Sequence, residues 1–196
     1  MFTIKPCAAG CGRPAITGNN LCSIHQANHE TEYIRICSII KKNKCIKDLI
    51  VSGMRFENAD FSNHDFYGCN FKDASFFNCI FSGVKMRMDF FDFSIFNNCN
   101  FSKSDIQFIS FAGASFYGCD FSESEIIHVN FEGAAVIETT FDNSNLYNSR
   151  FINADMAKAS FINCNLKRVH FAGIKQVNVL FRSSNTAEAL FEVEEQ

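Results

Sequence analysis

The sequence predicts an all-β solenoid of square cross-section, and three observations carry that prediction. Phenylalanine returns every fifth residue. Of the 26 positions from Phe56 to Phe181 taken in steps of five, 18 are Phe; the others are Met86, Ile106, Ile126, Val136, Leu146, Met156, Leu166 and Gln176. No insertion breaks the register. A helix repeats its apolar face at 3.6 residues and a strand at 2, so a period of five belongs to neither alone. Two flanking columns keep the same register. Two residues before each large residue stand Met54, Ala59, His64, Cys69, Ala74, Cys79, Val84, Asp89, Ser94 and Cys99, mostly small; two residues after it, 16 of 26 positions are Gly, Asn or Asp. Finally, steps of ten from Phe61 to Phe191 meet Phe at all 14 positions, while the other half-set runs Phe76, Met86, Phe96, Ile106, Phe116, Ile126. Alternation at ten means identity at twenty.

Each column has a physical reading. The large and small columns are two apart, so in an extended segment they point to the same side. The third column follows the large residue by two. A type II turn needs positive φ at its third residue, which Gly, Asn and Asp tolerate. Each five-residue unit is therefore a short side followed by a corner, and four units close one coil with Phe inside. A coil cannot bury its apolar face alone, so stacked identical residues form the core. Cys79, Cys99 and Cys119 fall on one inner wall, where they read as small buried apolar groups.

The units "ADFSN" (59–63), "CNFKD" (69–73), "CDFSE" (119–123) and "ADMAK" (154–158) resemble the pentapeptide-repeat motif A-D/N-L/F-x-x. The resemblance spans residues 46–185 without interruption. It implies a right-handed quadrilateral β-helix of about seven coils, about 34 Å long at about 4.8 Å per coil. It also implies a binding surface and not an enzyme.

The N-terminal stretch "CAAGCGRPAITGNNLCSIH" places Cys7, Cys11, Cys22 and His25 as C-x3-C-x10-C-x2-H. Two ligand pairs, each close in sequence and separated by a short loop, suit a tetrahedral Zn²⁺ site. Gly10, Gly12, Pro14 and Gly18 supply turns, and a segment this polar needs a metal to pack. Cys37, Cys45 and His29 are reserve ligands. The stretch is similar to short zinc-binding segments that precede other domains in microbial proteins. A closed Cys3His set leaves no open position, so the zinc is structural. The chain has ten cysteines but no basic-then-apolar leader, which favours metal ligation and buried thiols over a disulfide framework.

Residues 28–45 read as a capping helix and linker. Tyr33, Ile36, Cys37 and Ile40 recur at helical spacing, Thr31 is the expected N-cap, and basic residues close the last turn. This helix covers the first coil, whose edge would otherwise invite aggregation. The domain reading is then 1–27 zinc module, 28–45 cap and linker, 46–185 β-helix and 186–196 tail, with a short helical turn over 187–193. The open last coil makes an end-to-end homodimer an expectation.

Function must lie on the outward positions. Phe77, Ile80, Met88, Phe90, Phe93 and Ile95 occupy outward columns and crowd towards one edge, the mark of a protein interface. Between residues 104 and 149 there is no Lys or Arg, yet Asp105, Asp120, Glu123, Glu125, Glu132, Glu138 and Asp142 fall there; from Arg150 to Arg182 the sign reverses. His64, His128 and His170 lie in different columns, and no catalytic constellation, P-loop or dinucleotide fingerprint is present. The expected function is a non-catalytic protein-interaction module. The resemblance supplies an alternative: some members match the width and negative charge of B-form DNA, bind DNA gyrase or topoisomerase IV and protect it from inhibitors. The basic stretch 150–182 interrupts such a pattern. A net charge of −3 argues against direct nucleic-acid binding, no small-molecule substrate is implied, and no apolar run is long enough to span a membrane. The expected location is cytoplasmic, with a bacterial effector secreted by a specialised system as a further alternative.

Overall fold

The computed structural model describes residues 4–191. It is a parallel β-solenoid of about seven coils with one helix near its N-terminus. Coils stack in a register of twenty: Phe56 lies over Phe76, and Val136 over Met156. We number the faces of a coil from residues 45–49 (first), 50–54 (second), 55–59 (third) and 60–64 (fourth). The first face holds β1 (Cys45–Lys47), β3 (Asp65–Tyr67), β5 (Lys85–Arg87), β7 (Asp105–Gln107) and β9 (Glu125–Ile127) in one parallel sheet. The third holds β2 (Arg55–Glu57), β4 (Ser75–Phe77), β6 (Ile95–Asn97), β8 (Ser115–Tyr117), β10 (Ala135–Ile137), β11 (Asp155–Ala157) and β12 (Lys175–Val177). The second and fourth are joined by single bridges such as Ile50↔Asn70 and Asp60↔Ile80.

The corners lie where the third column predicts them. Every column position from Asn58 to Ser183 has positive φ, including ten that are not Gly, Asn or Asp, among them Met88, Phe93, Phe108 and His128. Inside, rings form continuous stacks. Phe101 and Phe121 lie 4.5 Å apart and nearly parallel, Phe121 and Phe141 5.0 Å apart, and neighbouring columns meet edge to face, as at Phe96 and Phe101. The small column is equally regular. Cys79, Cys99 and Cys119 are buried and unbridged, each thiol donating to a core carbonyl: Phe56 O (3.6 Å), Phe76 O (3.5 Å) and Phe96 O (3.6 Å). Ser94 and Ser104 do the same with hydroxyls.

Asp89 stands apart in that column. It is fully buried, and its carboxylate accepts from Cys69 N (2.6 Å) and Arg87 N (3.2 Å). Burial nevertheless pushes its pKa up to about 7. An acid that binds its proton more tightly when folded stabilises the fold below its unfolded pKa, about 3.9, and that stability is lost as pH rises to about 7. Ser149, three coils along on the same wall, shows the neutral solution: it accepts from Val129 N (3.1 Å) and donates to Ile126 O (2.9 Å). Asp89→Ser is therefore expected to raise stability at pH 8 by a few kcal/mol, with the gain vanishing towards pH 4. Urea unfolding of both proteins across that range checks it; a gain independent of pH contradicts it.

The N-terminal end is covered by α1 (His29–Lys42). Its N-cap is Asn28, whose side chain accepts from Thr31 N (2.9 Å), and not Thr31, which lies inside the first turn. Ile36 and Ile40 are buried against the first coil, and Tyr33 packs 5.9 Å from Phe56 and donates to Glu57 O (3.3 Å). Glu32, also buried, pairs with Arg35 at 2.5 Å. At the other end all of β12 is exposed, including Gln176 at the inward position. Phe191 still stacks on Phe171 at 5.0 Å. Of the expected turn over 187–193, the described part is a 3-10 turn, Thr186–Glu188, that gives way to extended chain at Ala189. Residues 192–196, with the remaining tail acids, lie outside the described residues.

Candidate metal centre and interaction surfaces

Residues 4–27 fold around four side chains. Pro6 and Pro14 form an antiparallel bridge, with Ala15 N donating to Lys5 O (2.8 Å) and Cys7 N to Arg13 O (2.9 Å). Gly10 and Gly12 sit at φ +72° and +76°, and Gly10 N donates back to Cys7 O (3.0 Å), so Cys7 and Cys11 meet across one tight turn. A second turn, His25 N to Cys22 O (3.1 Å), brings in the other pair. The ligand atoms of Cys7, Cys11, Cys22 and His25 lie within 4.8 Å of one another, the one such group among the described residues. His25 Nδ1 is 3.5 Å from Cys7 Sγ and 3.4 Å from Cys22 Sγ, and Cys11 Sγ is 3.7 Å from Cys22 Sγ. A tetrahedron built on bonds of about 2.3 Å to sulfur and about 2.1 Å to nitrogen has edges of about 3.5–3.8 Å. The donor set and its spacing thus fit Zn²⁺. Cys22 N, which donates to Cys7 Sγ (3.4 Å), is the main cause holding that thiol's pKa below its ordinary value, the direction a metal ligand needs. Cys37, Cys45 and His29 stay outside the cluster.

The module is tied to the first coil. Thr17 N donates to Ile50 O (2.9 Å), Ile50 N to Thr17 Oγ1 (2.7 Å), and Arg35 to Thr17 O (2.5 Å). Ile16 joins the solenoid core.

The apolar residues singled out in the sequence spread around one coil. Met88 stands at the corner of the first and second faces, Phe90 on the second, Phe93 at the corner of the second and third, and Ile95 on the third. Phe77 is on the third face one coil earlier, and Ile80 on the fourth. Met88 and Phe93 are 63% and 67% exposed. Phe90 is half-buried, with the Lys72 ammonium 5.3 Å above its ring. Met88 and Phe90 join two residues that the sequence did not flag, Tyr67 and Phe108, to line a groove of about 900 Å³ with Lys47 and Arg87. From there Phe108 stacks on His128 at 5.0 Å, which meets the Tyr147 ring at 6.0 Å. Tyr67, Phe108 and Tyr117 share the outward columns one and two residues after the core position, and that register is the signal that finds them.

The acidic residues divide. Asp105 and Glu125 are stacked in register on the first face. Asp120 and Glu123 lie on the adjoining fourth face, and Asp142 one coil further on, so these five are spread over two adjoining faces, with Asp120 on the side nearer the third. Arg87 pairs with Asp105 and Lys103 with Glu123 at their N-terminal end. Glu132 and Glu138 fall on other faces, paired with Arg150 (3.3 Å) and Lys158 (2.8 Å). The sign reversal along the chain thus becomes cross-coil pairing in space.

The family model described as "Pentapeptide repeats (8 copies)" matches residues 52–87 and 94–133, and that described as "Pentapeptide repeat region" matches residues 124–195. No curated protein sequence matches. Among solved structures, two trypsin-treated variants of QnrB1, a plasmid-mediated fluoroquinolone resistance protein, superpose with a TM-score of 0.56. They share 19% and 18% identity, over 76% and 73% of this chain and 80% and 79% of theirs. HetL, a pentapeptide repeat protein involved in heterocyst differentiation regulation in the cyanobacterium Nostoc sp. strain PCC 7120, matches at 14% identity over 82% of this chain and 96% of its own, with a TM-score of 0.36. The likeness to the two QnrB1 variants shows the fold alone. Among the described residues, no helix is long and apolar enough to cross a membrane.

Proposed function

Because the chain belongs to the pentapeptide-repeat family, we propose that it is a non-catalytic protein-interaction module, whose Cys3His cluster holds one structural Zn²⁺ against the first coil. The observation that carries this reading is the placement of Met88 and Phe93. The fold needs a left-handed backbone there, which large apolar side chains disfavour, yet both are displayed to solvent. Phe90 and Ile95 fall between and beside them. The five acids on the adjoining first and fourth faces favour a second reading, a DNA-like surface for a topoisomerase of the gyrase class. The exposed last coil supports end-to-end pairing in either case.

Affinity capture from the native host, with the intact chain beside a Phe90→Asp, Phe93→Asp variant and a Glu123→Lys, Glu125→Lys variant, tests both. A partner recovered by the wild type and lost only with the phenylalanine variant is expected. Gyrase or topoisomerase IV subunits lost only with the glutamate variant select the second reading. Identical recovery by all three chains removes both surfaces.

A further inference from the structure

The third face carries a feature that the apolar girdle does not explain. On β4, β6, β8 and β10, four successive strands, no outward position is charged; the apolar ones are Phe77, Ile95, Tyr117 and Ile137, and the rest are Ser, Asn and Ala. No other face keeps such a run. The first has Asp65, Lys85, Asp105 and Glu125 in consecutive coils, the second has Lys72, Asp92 and Glu132, and the fourth has Asp60, Asp120 and Asp142. Charge returns at both ends of the strip as ion pairs. Arg55 pairs with Glu57 (3.3 Å), its guanidinium 3.9 Å from the Phe77 ring, and at the far end Lys158 pairs with Glu138 and Lys175 with Asp155. An apolar centre depleted of charge within a charged rim is the composition of an interface.

Phe93 borders the strip on the corner beside Ile95. Its ring lies against Gly113 of the next coil, where an added Cβ would come within 2.7 Å of it. The two positions together let an aromatic ring lie flat along the edge of the strip, on a left-handed residue (φ 59°).

The strip's dimensions choose its occupant. Four strands about 4.8 Å apart and three residues wide make it about 19 Å by about 10 Å, or about 200 Å². A stable dimer buries about 800 Å² on each partner, so a second copy of this rod is poorly matched. A helix is about 10 Å across and rises 1.5 Å per residue, so about 13 residues of helix fill the strip along the rod axis. We infer that the third face docks an amphipathic helix of three to four turns from a protein partner. Its uncharged side rests on Phe77, Ile95, Tyr117 and Ile137, with Phe93 as the side wall and its ends meeting the ion pairs of the rim. This inference rests on the interaction-module reading and names the chemistry of the partner.

The test is selection from a phage-displayed library of helix-biased peptides of about 14 residues on the intact protein, with counter-screening on Tyr117→Asp. Tyr117 is 46% exposed, so the variant is expected to keep its circular dichroism and thermal midpoint. Expected are enriched peptides with uncharged residues at i, i+3, i+4 and i+7. The best of them should gain helical signal on binding and bind Tyr117→Asp about tenfold or more weakly, while Ser122→Asp on the fourth face changes nothing. Peptides without that periodicity, or with affinity untouched by Tyr117→Asp, overturn the inference. So does self-association at tens of micromolar, or binding to phosphatidylcholine–phosphatidylglycerol vesicles, if Tyr117→Asp abolishes it. Helical binders sensitive instead to Phe108→Asp would sink the third-face assignment and leave the interaction module standing.

Discussion

Phe121→Ala is expected to destabilise the protein by about 3–5 kcal/mol, and Ser122→Ala, one residue on, by no more than about 0.5 kcal/mol. The difference is one of direction. The Phe121 ring is fully buried, stacked between Phe101 and Phe141 at 4.5 and 5.0 Å, and it meets Phe111, Phe116 and Phe131 edge to face. Its loss opens a cavity whose walls belong to three coils, each fixed by its own backbone ladder, so little can collapse to fill it. Ser122 is half-exposed, and its backbone makes bonds that survive in alanine: N donates to Asp120 Oδ1 (2.8 Å), and O accepts from Lys103 N (2.9 Å) and Ser124 Oγ (3.1 Å). Thermal denaturation of both variants beside wild type decides it. Equal shifts would contradict the five-residue register itself.

That register explains why the core was readable in the sequence. Inward positions face their equivalents in adjacent coils and the neighbouring inward columns, all of them core, so burial, ring stacking and the small column appear as columns of like residues. The corners were readable for the same reason, and the ten that lack Gly, Asn or Asp show that the coil's ladder imposes the left-handed turn on Phe93 or His128 as well. Outward positions answer to neighbours twenty residues away and to the face across the corner. Read along the chain, Phe77 to Ile95 looks like one patch; folded, it wraps a coil and leaves Tyr117 and Phe108 as the missing members. The acids from Asp105 to Asp142 and the basic run from Arg150 look segregated, yet Glu132–Arg150 and Glu138–Lys158 join them. Asp89 was visible in the small column, but its isolation in the core follows only from the packing around it. The Cys3His spacing was legible because its ligands sit in two short turns, each local in sequence, whereas the choice of Asn28 over Thr31 as N-cap depends on where the module delivers the chain to the helix.

Removing the metal is expected to unfold residues 4–27 while leaving the coils beyond the first intact. Purified protein should carry one zinc per chain by elemental analysis, and Cys22→Ala should lose it. The module's buried apolar side chains are few, chiefly Ala15 and Ile16 beside Cys7 and Cys22. Its own backbone bonds, such as Cys7 N to Arg13 O, Ala8 N to Asn20 O and Ala15 N to Lys5 O, close loops around the cluster. In zinc-finger peptides the metal contributes about 10–16 kcal/mol of folding free energy, far more than these contacts could replace. With a strong chelator, or in Cys22→Ala, the amides of Cys7, Ala8 and Ala15 should exchange with solvent orders of magnitude faster. Those of Phe101, Phe121 and Phe141, held by ladder bonds deep in the solenoid, should not change. Thr17 and Ile50 join the two regions, so the first coil is expected to show an intermediate effect. Mild acid should reproduce the loss, because the thiolates must take up protons as the metal leaves. Purified protein without stoichiometric metal, or exchange at Cys7 and Ala15 that ignores the chelator, would show that the four side chains converge for packing alone.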